Sequence, residues 1–288
     1  MKDLLSTKNL TKKQVLEIFK WTDKLKHKKK PLLKDKTLGM IFEKPSLRTK
    51  ASFEAAITHL GGHSIFLPNA EIKLGERESI ADVSRVLSRY VDAIVARLFE
   101  HKTMLELAKY SSVPVINGLD DLEHPCQALT DLYTIKQKKK KLKGLKIVFL
   151  GDGQNNTFYS LIYICNKFGM DVVVSCPDKY KPKIKAKFKI IKDPKKAVKN
   201  VDVIYTDTFI SMGLESKKKK RLKDLKKYQV NKNLVKHAKR NYIFLHCLPA
   251  HRGHEVTADV IENKNSVVFD EAENRLHVQK AILYLLMK

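Results

Sequence analysis

Ser46, Arg48 and Thr49 stand together in residues 42–50, a segment that reads as the passage from a strand into a helix. A serine at that point caps the helix. The free backbone N–H groups with Ser46, Arg48 and Thr49 then form a phosphate cradle at the helix's positive end. The arginine adds a forked donor suited to oxyanions. The same residues would also make an ordinary capped helix with charges on its surface. In residues 124–131, Pro125 suits the first helical position and puts His124 and Gln127 near one helix start, within reach of a polarised carbonyl. A lone histidine there can equally be a simple cap. Asp207 opens residues 207–213, with Ser211 and Met212 behind it. A carboxylate at a strand end suits a substrate amine, although loop aspartates also just turn the chain. Finally, His246 beside Cys247 invites a thiol-protease or metal reading. Neighbours in an extended segment point to opposite faces, which argues against a direct His–Cys dyad.

Positioning such groups takes strands and helices, and the hydrophobic periodicity supplies both. Thr11 with Gln14 forms a capping box that opens a first helix, ending before Pro31. Strands are expected at 37–42, 64–67, 93–96 and 113–117, with helices at 47–60, 80–90, 103–110 and 125–138. Residues 138–144 read as a hinge. Beyond it come a strand at 145–150, the turn Gly151-Asp152-Gly153, a helix at 156–168 and strands at 171–176, 201–206 and 242–246. An amphipathic helix over 271–287 closes the chain. This alternation predicts an α/β fold of two domains, each a mainly parallel sheet flanked by helices. The expected division is 1–138, 145–270 and a terminal helix at 271–288. In such sheets ligands bind beyond the carboxyl ends of the strands, where the four segments lie.

Composition narrows the function. A chain of 288 residues with 43% hydrophobic residues can bury a substantial core, and 11 Gly and 9 Pro exclude collagenous or low-complexity classes. No apolar run approaches the ~20 residues of a membrane span. The polar N-terminus has no apolar signal region. Cys126, Cys165, Cys176 and Cys247 are scattered without a C-x-x-C pair, which fits free thiols and a cytoplasmic location rather than a disulfide framework or zinc site. The net charge of +26 raises nucleic-acid binding. Only nine of the basic residues are Arg, however, and the lysine runs at 138–141 and 217–220 lack interleaved aromatics. Base-edge readout favours Arg and single-strand binding favours aromatic stacking. No specific nucleic acid and no membrane partner is expected, while a basic field would attract an anionic substrate.

Taken together and in this order, Ser-x-Arg-Thr at 46–49, His-Pro-x-Gln at 124–127, Asp-x-x-x-Ser-Met-Gly at 207–213 and His-Cys-Leu-Pro at 246–249 resemble the carbamoyltransferase family. The last two resemble its ornithine-specific branch. The resemblance runs from the first helix to Glu271-Ala272-Glu273-Asn274-Arg275. It implies transfer of the carbamoyl group of carbamoyl phosphate to the side-chain amine of L-ornithine, giving citrulline and phosphate in arginine biosynthesis. A related transferase acting on another amine or amino acid is the alternative. On this resemblance Ser46, Arg48 and Thr49, with the Leu47 backbone, hold the phosphate, and Arg97 bridges phosphate and carbonyl oxygen. His124, Gln127 and Arg275 bind the carbamoyl group, with Cys247 and Leu248 lining the site. Asn156 takes the ornithine carboxylate region, Asn155 being its neighbour in register. Asp207, Ser211 and Met212 grip the α-amino end. The resemblance also implies a terminal helix packed back on the first domain, and a homotrimer with sites between subunits.

The chemistry asks for such a set. Charge grows on the carbonyl oxygen as the amine adds, and each fixed donor aimed there contributes about 3–4 kcal/mol. Aligning both substrates supplies a further ~7–11 kcal/mol. The nucleophile must be neutral, yet about one alkylamine in a few thousand is neutral at pH 7. Asp207 and Cys247 are the candidates to assist, and no metal or organic cofactor is called for. Lys50 and Phe209 stand where many members carry Arg and Trp. Lys73 stands where relatives carry a glutamine that reaches a neighbouring subunit's carbamoyl phosphate, and is read here as a charged replacement. A dinucleotide-binding reading fails because Gly151-Asp152-Gly153 lacks the third glycine of its fingerprint.

Overall fold

The computed structural model describes residues 1–210 and 215–288. It divides into two compact units, one of Met1–Thr130 with Glu273–Lys288, the other of Asp131–Ala272. In the first, α1 (Lys12–Leu25) starts at the Thr11 capping box. Its buried residues, Val15, Ile18, Phe19, Thr22 and Leu25, follow helical spacing. Then come β1 (Thr37–Phe42), α2 (Leu47–His59), β2 (His63–Pro68), α3 (Asn69–Ile72), α4 (Ile80–Leu87), β3 (Ala93–Arg97), α5 (His101–Tyr110), β4 (Val115–Leu119) and α6 (Pro125–Lys139). The four strands form one parallel sheet in the order β2-β1-β3-β4. Central strands of such sheets are covered on both faces, which is why β3 is buried along its whole length. Ile41, Ile94 and Ala96 pack there with Val83, Leu87, Met104 and Leu107 of the helices.

The second unit restarts with β5 (Lys146–Leu150), α7 (Asn156–Lys167), β6 (Asp171–Ser175), β7 (Lys189–Ile190), α8 (Pro194–Ala197), β8 (Val203–Thr206), α9 (Lys218–Leu225), α10 (Lys232–Val235), β9 (Ile243–Leu245) and α11 (Ala258–Ile261). Its five strands are parallel in the order β7-β6-β5-β8-β9. Val148, Leu150, Ile204 and Phe244 pack against Val230, Leu234, Val256 and Val260. The last helix, α12 (Val268–Met287), contributes its residues from Glu273 onward to the first unit. There the Lys280 ammonium donates to the carbonyls of Leu25 (2.7 Å) and Lys28 (2.5 Å) at the end of α1. The Trp21 and Tyr284 rings meet with centroids 4.2 Å apart. The α/β class, the two parallel sheets and the returning terminal helix are thus as expected. Among the described residues, no helix is long and apolar enough to cross a membrane.

Three of the boundaries that moved did so for local reasons. β4 begins at Val115 rather than 113, because Pro114 has no N–H for the ladder. α4 stops at Leu87 rather than 90, where Arg89 and Tyr90 close tight turns onto the carbonyls of Val86 (3.0 Å) and Leu87 (2.9 Å). α12 starts at Val268, with Asp270 and Glu271 in its first turn, where the helix dipole favours carboxylates.

Candidate active site

Strands β1, β3 and β4 lie side by side and parallel, so their carboxyl ends present three loops at one edge of the sheet. After β1, Ser46 caps α2 by accepting the Thr49 N–H at 3.2 Å. This leaves Arg48 half-buried, Thr49 fully buried and Leu47 79% exposed. At the end of β3, Arg97 is buried, and its carbonyl takes the Glu43 N–H at 2.9 Å. After β4, His124 opens α6, its carbonyl accepting the N–H groups of Gln127 and Ala128, both at 3.1 Å. His124 and Gln127 are themselves buried. The fourth contribution comes from α12. Arg275 donates one guanidinium nitrogen to Gln127 Oε1 and the other to Thr49 Oγ1, each at 2.9 Å. One side chain thereby ties together the cradle helix, the histidine helix and the last helix.

The electrostatics of this group suit a bound anion. Burial, followed by the charges of Arg275, Arg97 and Arg48, holds the His124 imidazole well below its usual pKa. His124 is therefore neutral at physiological pH and carries a single ring N–H. Lys44, buried in the same β1–α2 loop, is also lowered, first by burial and then by Arg97. Three guanidinium groups acting on a neutral histidine would be offset by an anion bound beside them.

In the second unit the carboxyl ends of β5, β8 and β9 are likewise adjacent. β8 delivers Asp207, buried and held by three donors: Asn155 Nδ2 at 2.9 Å, the Thr208 N–H at 2.7 Å and the Cys247 thiol at 3.0 Å. Asn155 is at the same time the cap of α7, accepting the Phe158 N–H at 3.1 Å. Burial and then the Asp207 carboxylate push the Cys247 thiol well above its usual pKa, so it stays protonated. After β9 the chain turns at once: Leu248 takes a left-handed backbone with φ 56°. The donor atoms of Asp207, His246 and Cys247 lie within 4.8 Å of one another, a set that could seat a metal ion. Hydrogen bonds engage the carboxylate, the thiol and one ring nitrogen of the histidine. His246 Nδ1 accepts the Leu248 N–H at 2.9 Å, and the thiol serves Asp207 rather than the imidazole. No His–Cys dyad forms.

The structure therefore brings Ser46, Arg48, Thr49, Arg97, His124, Gln127 and Arg275 into one unit's loop cluster, and Asp207, Cys247 and Leu248 into the other's. Asn156 is the first residue of α7, its Oδ1 accepting the Thr157 N–H at 2.8 Å, while Asn155 makes the contact to Asp207. Lys73 is exposed at the end of α3 with φ 43°, and no described contact joins it to the cradle. Ser211 and Met212 lie outside the described residues. Arg275 sits about two turns inside α12 rather than at its start. Sequence reasoning missed Lys44, although it lies within the quoted 42–50 loop, and it missed Arg221. Buried Arg221 donates Nε to the Phe209 carbonyl at 2.7 Å and pairs with Asp152 at 2.5 Å, bracing the segment after Asp207. Its signal was faint: a single arginine at the end of a lysine run.

Nearly the whole chain is similar to known proteins. Residues 2–137 match the sequence model of the aspartate/ornithine carbamoyltransferase carbamoyl-P binding domain, and residues 143–286 match that of the Asp/Orn binding domain. The ornithine carbamoyltransferase of Pyrococcus abyssi is 52% identical, covering 99% of this chain and 96% of its own. That of Bacillus subtilis is 49% identical over 98% and 92%. Among solved structures, ornithine carbamoyltransferase from Pyrococcus furiosus superposes with a TM-score of 0.96 at 51% identity, covering 99% of this chain and 97% of that one. The anabolic enzyme from Campylobacter jejuni gives 0.93 at 38% identity, over 99% of each chain.

Proposed function

This chain belongs to the aspartate/ornithine carbamoyltransferase family, and we propose on that footing that it transfers the carbamoyl group of carbamoyl phosphate to the side-chain amine of L-ornithine. The products are L-citrulline and phosphate, formed in the biosynthetic direction. The observation that carries the reading is the Arg275 bridge to Gln127 and Thr49, which puts a buried cation beside both the cradle and the neutral His124. Ser46, Arg48, Thr49 and the Leu47 backbone take the phosphate; Arg97 spans phosphate and carbonyl oxygen. His124, Gln127 and Arg275 stabilise the oxyanion as the amine nitrogen attacks the carbonyl carbon. The carbon–oxygen bond to phosphate then breaks, and the leaving phosphate takes the proton lost by nitrogen.

On the amine side, Asp207 receives the ornithine ammonium with Ser211 and Met212, and Asn156 receives the carboxylate region. Cys247 is held protonated, so its part is to fix Asp207 and, with Leu248, to line the site rather than to act as a base. Four unpaired cysteines support a reducing, cytoplasmic setting. We extend the proposal to a homotrimer in which Lys73 serves a neighbouring subunit's carbamoyl phosphate. Light scattering checks the trimer, and an unchanged KM for carbamoyl phosphate in Lys73→Ala would remove that role.

A colorimetric citrulline assay with ornithine and carbamoyl phosphate tests the main reading, with putrescine, aspartate and acetylornithine as competing acceptors. Ornithine is expected to be preferred, and Arg48→Ala to lose about 10²–10³-fold in rate. Faster carbamoylation of another acceptor, or full activity in Arg48→Ala, would overturn it.

A further inference from the structure

Ahead of His124 the chain makes a turn whose hydrogen bonds converge on one fully buried carboxylate. Asp120 Oδ1 accepts the N–H groups of Leu122 (2.9 Å) and Glu123 (2.7 Å). Asp120 Oδ2 accepts from Asn117 Nδ2 at 2.7 Å and meets His101 Nδ1 at 2.6 Å. The Asp120 N–H in turn donates to the Glu123 carbonyl at 3.0 Å, closing the loop. A carboxylate with no exposure is costly unless its lone pairs are filled and its charge is met. Here both conditions hold, because the hydrogen bond to Asp120 raises the His101 pKa above its usual value and favours the imidazolium.

A second buried carboxylate completes the clamp. Glu123 accepts the Thr7 N–H at 3.0 Å and the Thr7 hydroxyl at 3.2 Å, and also accepts the Ser6 hydroxyl. The segment carrying Ser6 and Thr7 is itself fastened to β4: the Leu4 N–H donates to Val115 at 2.9 Å, and Asn117 donates to the Leu5 carbonyl at 3.0 Å. The residue directly before His124 is thus fixed at its N–H, its carbonyl and its side chain. A capped α6 alone would need none of this.

We propose that Asp120 and Glu123 are positioning residues for the transfer step, holding the turn that aims His124 at the carbamoyl oxygen. This rests on the functional reading above. Neither carboxylate touches substrate; both act through the backbone before His124. Because the Ser46–Thr49 cradle is built on a different loop, their loss should lower turnover without loosening phosphate.

The test measures kcat for citrulline formation and the inhibition constant of inorganic phosphate in the full-length protein and three variants. Asp120→Ala is expected to lower kcat about tenfold or more, with phosphate inhibition within twofold of the parent. Asp120→Asn keeps an oxygen for the Leu122 and Glu123 N–H groups, so it should recover most of that loss. Glu123→Ala should lower kcat at unchanged phosphate affinity, and it decides the matter if Asp120→Ala does not fold. A folded Asp120→Ala or Glu123→Ala with kcat within twofold of the parent overturns the inference. So does a loss of phosphate affinity in step with kcat, which would mean general damage. If the parent protein binds phosphate yet makes no citrulline, the functional reading falls and takes this inference with it. An active parent with insensitive variants sinks this inference alone.

Discussion

At the scale of single residues, Arg275 and Cys247 show how neighbours set chemistry. Arg275 is planar, buried and held at both terminal nitrogens, so the fold itself fixes its orientation. Replacing it with Ala should cost about 10²–10³-fold in kcat, as for loss of one fixed oxyanion donor. Steady-state rates within tenfold of the parent would mean that its bridge is only structural. Cys247 invites the opposite expectation from its neighbour His246, namely a reactive thiol. Its contact is instead with Asp207, which raises the thiol's pKa together with burial. Burial pushes Cys126 up to about 12 and Cys176 to about 11, and it raises Cys165 as well. The thiolate is the reactive form, and raised pKa values make it scarcer. All four thiols should therefore react with iodoacetamide at pH 7 about tenfold or more slowly than free cysteine. Alkylation should quicken only as pH climbs. One fast-labelling cysteine at pH 7 in the native protein would contradict this.

At the scale of elements, strand order decides which loops meet. The sequence marks a turn at Gly151 but not its reason. Its φ is +119°, a conformation that L side chains rarely adopt, and an added Cβ would come 2.8 Å from the Phe209 ring. Phe209 lies two residues past Asp207, and Arg221 holds its carbonyl. Gly151→Ala should therefore destabilise the fold by about 1–3 kcal/mol and raise the KM for ornithine. Denaturant titration and kinetics check the two halves, and an unchanged midpoint would show that Phe209 yields freely. Helix starts were legible where a local cap opens a long periodic segment. Thr11 with Gln14 and Ser46 with Thr49 sit three residues apart, so the capping bonds need no distant partner. Less legible were the short elements of the second unit, β7 and α8 to α11. They hold two to eight residues each, too few for a period to show.

At the scale of the whole molecule, the net charge of +26 sets up a field that an anionic substrate would feel. The buried cations around His124 concentrate positive potential at the cradle. If the surface field assists capture, raising ionic strength from about 20 to 300 mM should increase the KM for carbamoyl phosphate roughly two- to fivefold. The KM for ornithine should move little. A flat KM for carbamoyl phosphate would limit the lysines to solubility. What the sequence by itself determined was local or periodic: the α/β alternation, the helix caps, and four strand-end segments rich in Arg, His, Asp and Cys. Those features depend on residues a few positions apart, and they are written in order along the chain. Only the tertiary structure decided that Arg275 reaches Gln127 and Thr49, 148 and 226 positions away. It also decided that Cys247 serves Asp207 and that the turn before His124 hangs on Asp120 and Ser6. Such contacts follow from the parallel strand order and from the packing of α12 and the N-terminal segment on the first unit, which set distant residues side by side, and no spacing in the chain encodes them.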